Sequence, residues 1–160
     1  MILLLPLTLT SLGARAVTWW LNRTGITAAQ SWDSWPAAAA AGMAVVYVST
    51  GITHFIEPQR SGLIAIVPNV IPQPELAVTL TGAAEFAIAA GLVIPRTRRW
   101  AALASIALLL ALFPANVVAA SGVDHPAAPT TALAPRATLQ LIFVAASALA
   151  LGFSRRERLK

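Results

Sequence analysis

Glu85 stands in the middle of TLTGAAEFAIAAG (residues 79–91), ten residues past Glu75 and eleven before Arg96. A carboxyl group in so apolar a run is costly unless it faces protein or a water cavity. It reads in two ways: as a ligand or proton site, or as a neutral acid that hydrogen-bonds across helices and only fixes their packing. His54 and Glu57 are three apart, which puts them on one side of a continuous helix, where the carboxylate would set the imidazole tautomer. Asn116 follows Pro114 in LFPANVV, and a helix-interior proline frees a carbonyl one turn earlier and permits a kink that makes room around the amide. Thr50, Thr53, Thr79 and Thr81 add hydroxyls, although threonine readily satisfies itself on its own backbone. His54, Glu57, Glu85 and Asn116 are therefore the candidate ligand-binding residues. No metal site is expected: His54, Glu57 and Glu85 offer only one imidazole, and zinc sites ordinarily show more His or Cys at motif spacing. His125, in VDHPAAP, reads as an exposed loop residue.

The elements that must carry these residues are five apolar stretches. The first, residues 1–20, is diluted by Pro6, Thr8, Thr10 and Ser11. It reads as either a span or an interfacial helix, and it lacks the basic start and cleavage site of a signal peptide. The other four cover about 36–57, 75–94, 100–121 and 136–153, each near the roughly 20 residues needed to cross a hydrocarbon core of about 30 Å. They are too long for strands and lack period-two alternation, and bare backbone in lipid requires local helical bonding. Gly51, Gly82 and the series Ala83, Ala87, Gly91 read first as close helix contacts.

The linkers assign sides. The first linker, residues 20–35, contains Arg23 and Asp33 with Arg15 just before it; Arg96, Arg98 and Arg99 crowd the 95–99 turn; and Arg155 and Arg156 open the basic tail 155–160. Residues 58–74 carry only Arg60, and residues 122–135 carry Asp124 with no Lys or Arg. This strict alternation places the arginine-rich segments and the C-terminus in the cytoplasm. The short 95–99 turn requires an antiparallel hairpin of neighbouring helices. The semi-apolar segment 58–74 is expected to lie over the outer mouth as a half-embedded helix or loop. His54 and Asn116 would then fall in the outer thirds of their helices, with Glu85 near the midplane, so that the set forms a pocket opening outward. The domain plan is 1–35 for the N-terminal apolar helix and its linker, 36–154 for the membrane core, and 155–160 for the tail. The fold class is all-α, a transmembrane antiparallel four-helix bundle with an additional N-terminal apolar helix.

Composition agrees with that plan and excludes others. The chain has 160 residues, is 58% hydrophobic and only 11% charged, against about 25% charged in a typical soluble domain. A bundle this small cannot hide that much apolar surface from water. The net charge of +5 comes from clusters between apolar runs, which serve topology and not nucleic acid. The absence of cysteine excludes disulfides, thiol redox chemistry and thiolate metal sites. There is no phosphate-cradling Gly loop, GxSxG elbow or HExxH, and Asn22-Arg23-Thr24 matches a glycosylation sequon on the side expected to be cytoplasmic.

STGITHFIEP (49–58), VPNVIPQPE (67–75), TGAAEFAIAAGLVIPRTRRWAA (81–102) and LLALFPANVVAA (109–120), in that order, resemble the DoxX-like family of small bacterial integral membrane proteins over roughly residues 40–120. The resemblance implies a four-helix membrane core in which His54, Phe55 and Pro58 close the first helix. Glu85 is then the carboxylate of the second, Arg98 and Arg99 form the cytoplasmic turn, and Pro114 and Asn116 belong to the third. It implies an inner-membrane location and links to quinone-dependent sulfur oxidation or redox-stress complexes, although a chain without cysteine departs from any thiol-exchange role. The expected function is an accessory or binding subunit, surrounded by membrane lipids, that holds a small lipophilic molecule such as a quinone and associates with a redox partner protein. The alternatives are a structural membrane protein whose polar cluster serves packing alone, and a quinone-linked oxidoreductase subunit. No cofactor ligands are identified, and electrons would come from elsewhere. A His and a carboxylate can do acid–base work, but no nucleophile or metal set accompanies them to name a reaction. A transporter is disfavoured because no inverted repeat is evident.

Overall fold

A computed structural model describes residues 4–25 and 32–152. Among the described residues six helices follow one another: α1 (Leu4–Arg23), α2 (Trp35–Thr53), α3 (Gln59–Ala65), α4 (Pro74–Val93), α5 (Arg98–Ala120) and α6 (Leu133–Ala150). Four of them, α2, α4, α5 and α6, are long and apolar enough to cross a membrane. The chain is an all-α, multi-pass membrane protein with an extra N-terminal helix. Arg155 and Arg156, expected to anchor the tail, lie outside the described residues.

Local chemistry sets the helix boundaries. The Ser34 side chain accepts from the Ala37 N–H at 3.2 Å, and Pro36 occupies the first turn of α2, where a missing N–H costs nothing. Pro74 does the same for α4. α4 gives out at Ile94, whose extended backbone suits a residue before proline. Gly122 and Gly152, with φ of 87° and 60°, take the left-handed conformation just past α5 and α6 that glycine adopts cheaply.

α2 is the hub. It packs against α1, α4 and α6, while α5 completes a ring by bridging α4 and α6. Of the apolar stretch of α2, 56% is buried within the protein, against 17% for α5 and for α6. Leu110, Val117, Leu141 and Leu149 accordingly point outward. Apolar surface in water costs about 25 cal/mol per Å², so these faces belong against lipid. The run Ala37 to Ala40 lets neighbouring helices approach α2 closely, and Met43 and Leu92 fill the centre. Residues early in α5 meet residues late in α6: Ser105 bonds Ser147, Leu109 bonds Gln140, and Asn116 bonds Arg136. Along α2 and α4, Thr50 meets Glu85 and His54 meets Val78.

The two ends of the bundle differ. At one end, the arginine end, Arg15 pairs with Asp33 and lies 5.7 Å from the Trp35 ring. There Arg23 lies 4.0 Å from Trp19 and Arg98 lies 4.4 Å from Trp32. All five tryptophans (Trp19, Trp20, Trp32, Trp35 and Trp100) belong to this end. Cation–π stacking of this kind suits the border between hydrocarbon and headgroups. α1 serves this end: Leu7 and Ser11 press on Gly42, where a Cβ would collide with them, and Asn22 donates to Asp33 at 2.6 Å. It is not among the helices long and apolar enough to span.

At the opposite end, segment 58–74 forms the short α3, and Leu63 and Ile66 pack with Ala119 and Ala128. Gly62 permits this contact, because a Cβ there would run into the Ala127 carbonyl. His125, expected to be exposed, is half-buried and accepts from the Ala127 N–H at 3.2 Å.

Candidate functional site

Helix α2 ends at Thr53, so His54 is its C-cap and Glu57 lies past the last turn. The expected His54–Glu57 pairing therefore fails: spacing of three places residues together only while the helix continues. Glu57 instead accepts from the Ser61 hydroxyl and N–H at the start of α3. Those bonds hold the exposed Glu57 carboxyl below the usual carboxylate range, the hydroxyl contributing most.

His54 turns toward α4. Gly82 makes this possible, since a Cβ there would stand 2.5 Å from the His54 Cβ. The imidazole Nδ1 lies 2.8 Å from the Val78 carbonyl. A carbonyl only accepts, so Nδ1 carries the hydrogen. The other nitrogen, Nε2, faces Glu85 Oε1 at 3.7 Å, with both residues buried at 7% and 5% exposure. A bare lone pair on Nε2 opposite an ionised carboxylate would repel it. One proton on either side removes the conflict, as an ion pair or as a neutral acid beside a neutral imidazole.

Thr50 extends this arrangement. Its hydroxyl lies 2.7 Å from Glu85 Oε2 and 3.0 Å from the Val46 carbonyl. The single Thr50 hydrogen can serve either acceptor. When it turns to Val46, its oxygen can accept a hydrogen from a protonated Glu85. The pair can thus hold its proton on His54 Nε2, facing Glu85, or on Glu85 Oε2, bonded to Thr50, and in the second arrangement Nε2 is left without a donor. Thr81 Oγ1 adds a contact to His54 Nδ1 at 3.3 Å, and the Phe55 and Phe86 rings stack with centroids 5.9 Å apart.

Arg60, which in sequence looked like a lone loop cation, clamps this corner. Its guanidinium donates to the His54 carbonyl at 2.8 Å, to Thr79 Oγ1 at 3.0 Å and to the Glu75 carbonyl at 3.4 Å. A cation on the last carbonyls of α2 offsets the negative end of that helix and ties it to the first turn of α4.

Asn116 does not join this group. It lies between α5 and α6, donating to Gln140 Oε1 at 3.0 Å and accepting from Arg136 at 3.3 Å. Gln140 donates in turn to the Leu109 carbonyl at 2.7 Å, next to the Leu110 carbonyl that Pro114, four residues on, leaves without its usual donor. No hydrogen bond or ion pair connects Asn116 with His54 or Glu85 among the described residues. The four expected residues are thus divided: His54 and Glu85 meet at the α2–α4 seam, Asn116 sits across the ring, and Glu57 lies on the surface.

Sequence reasoning also missed a third polar chain. Tyr47 Oη lies 2.6 Å from Ser105 Oγ, which lies 2.7 Å from Ser147 Oγ, and Ser147 donates to the Phe143 carbonyl at 2.8 Å. It joins α2, α5 and α6 through the core. Its signal was faint: single hydroxyls in apolar helices usually bond their own backbone. No group of three or more metal-ligating side chains gathers among the described residues.

A family described as a domain of unknown function (DUF8561) matches residues 43–151, more than half of the chain, and the chain belongs to it. The matched region begins in the middle of α2 and includes the His54–Glu85, Asn116–Gln140 and Tyr47–Ser105–Ser147 groups. No curated protein and no solved structure matches the chain.

Proposed function

We propose that this member of the DUF8561 family is a DoxX-like accessory or binding subunit of a bacterial cytoplasmic membrane, in which His54 and Glu85 receive a small lipophilic molecule, a quinone before others. The observation that carries the reading is the buried His54–Glu85 pair with one proton to place. A quinone carbonyl accepts a hydrogen bond from a protonated imidazole or carboxyl, and its reduction consumes protons that such a pair exchanges. Electrons would come from a redox partner protein, which also leaves room for a place in a quinone-linked oxidoreductase. We assign the arginine end and the C-terminus to the cytoplasm by the excess of Arg there. We take the four long helices as antiparallel neighbours, a reading supported by the opposite running order of the α2–α4 and α5–α6 contacts. His54 then opens toward the outer side.

The test is to purify the full chain from membranes in mild detergent and identify co-extracted lipophiles by mass spectrometry. A quinone enriched over the bulk lipid extract, and lost in both His54→Gln and Glu85→Gln, is the expected result. No enriched species in the unaltered protein would refute the reading.

One observation favours a second reading, a purely structural cluster: Thr50, Thr81 and the Val78 carbonyl already satisfy the pair within the protein. In that case the same two variants lower thermal stability and leave the extracted lipophiles unchanged.

A further inference from the structure

Two concavities meet at the arginine end. The first is a groove of about 630 Å³ between α1, α2 and α4, with Ala44, Val45 and Val48 of α2 on its floor and Ala90 on the α4 side. Its one α2 hydroxyl makes no demand on an occupant, because Ser49 donates to its own helix at the Val45 carbonyl, 2.8 Å away. The second is a cavity of about 370 Å³ between the start of α2, the α4–α5 turn and the end of α6. Ser34, Arg98 and Arg99 supply its polar lining, and no acidic residue is among its walls within the described residues.

A single stacked pair separates the two. Trp32 lines the groove and Arg98 lines the cavity, with the guanidinium 4.4 Å from the ring centroid. Val93 on the groove and Pro95 on the cavity are likewise only two residues apart. An apolar channel along membrane-length helices thus ends beside a basic chamber at the level of the tryptophans. Arg98 is fixed in place by donating from Nε to the Leu92 carbonyl at 3.2 Å. Arg99 is exposed and makes no ion pair among the described residues.

We propose that groove and cavity together form one site for an anionic glycerophospholipid, with an acyl chain along α2 and the phosphodiester at Arg98 and Arg99. The lining of the groove is apolar apart from Thr10, Trp32 and the self-bonded Ser49, and so calls for hydrocarbon. The forked guanidinium matches phosphate oxygens, and two such groups on one wall give the chamber a preference for net negative charge. A choline or ethanolamine headgroup would bring a further cation to two arginines and is disfavoured. The site is separate from His54 and Glu85 and stands whether or not that pair binds a ligand.

The experiment uses the full chain in mild detergent, with native mass spectrometry and thermal melting as readouts. Dioleoyl-phosphatidylglycerol, dioleoyl-phosphatidylcholine and inorganic phosphate are added separately. Phosphatidylglycerol is expected to be retained and to raise the melting temperature well above phosphatidylcholine, with inorganic phosphate without effect. Arg99→Gln should reduce the preference for phosphatidylglycerol roughly fivefold, and Arg98→Gln with Arg99→Gln about twenty-five-fold, from about 1 kcal/mol per arginine near a membrane surface. Ala90→Trp, on an exposed position of the groove wall, should weaken retention of both lipids alike. Because Arg98 also supports the turn, Arg99→Gln and Ala90→Trp keep the test decisive if the double variant does not fold. Equal retention of the two lipids by the unaltered protein would overturn the proposal. So would protection by phosphate alone, or unchanged selectivity in Arg99→Gln.

Discussion

The two polar seams of the bundle are built from different chemistry although both tie helices together within apolar surroundings. At the α2–α4 seam the participants are an imidazole, a carboxyl group and hydroxyls. At the α5–α6 seam they are two serine hydroxyls toward the arginine end and, beyond them, two amides and a guanidinium. The first set has more than one place for its proton, as the two acceptors of Thr50 show. The second has one arrangement, because amides do not titrate near neutrality and arginine does not deprotonate in proteins. A seam that can change its proton count suits chemistry, and one that cannot suits anchoring.

The sharpest way to break this comparison is steric. Gly82→Val should destabilise the protein by about 2–3 kcal/mol, the upper range for an overpacked contact, because its side chain meets His54 and Phe55. Gly13→Ala, with nothing within 4 Å of the added atom, is the matched control; thermal melting in detergent reads both. Next in size, Gln140→Ala strips partners from Asn116 and the Leu109 carbonyl. It should cost about 1–2 kcal/mol, the upper range for interhelical hydrogen bonds in membranes, and the loss should be the same at acid and neutral pH.

Glu85→Gln should cost less than about 1 kcal/mol, since an amide oxygen still accepts from Thr50, yet it removes the shared proton. Thermal melting in detergent reads this cost. The smallest effect belongs to Glu57. Its folded carboxyl is held below the ordinary range, so its contribution is present above the unfolded value and disappears as pH falls through the folded one. The small stability gap between the protein and Glu57→Gln should therefore close in acid and persist at neutral pH.

Much of the fold was legible in advance. Run lengths and prolines located α2, α4, α5 and α6 to within a few residues, and Gly82 and Gly91 marked close contacts that the structure contains. The site was less legible, for a physical reason. Lipid and protein interior are equally apolar, so helices such as α4 and α5 carry no polar stripe to reveal which way Glu85 or Asn116 points. Depth could be read from sequence, and rotation could not; hence Asn116 was expected beside Glu85 and instead joins Gln140. The early end of α2 at Thr53 carried His54 to Glu85 and left Glu57 to Ser61, a change of partner that spacing alone could not foresee.

The gathering of every indole at one end gives the molecule a built-in optical gauge. Indole emission will come from the arginine end alone, where stacked guanidinium groups and any seated lipid alter its colour and yield. The histidine end is dark by comparison, so a titration that shifts the emission locates its ligand before any variant is made.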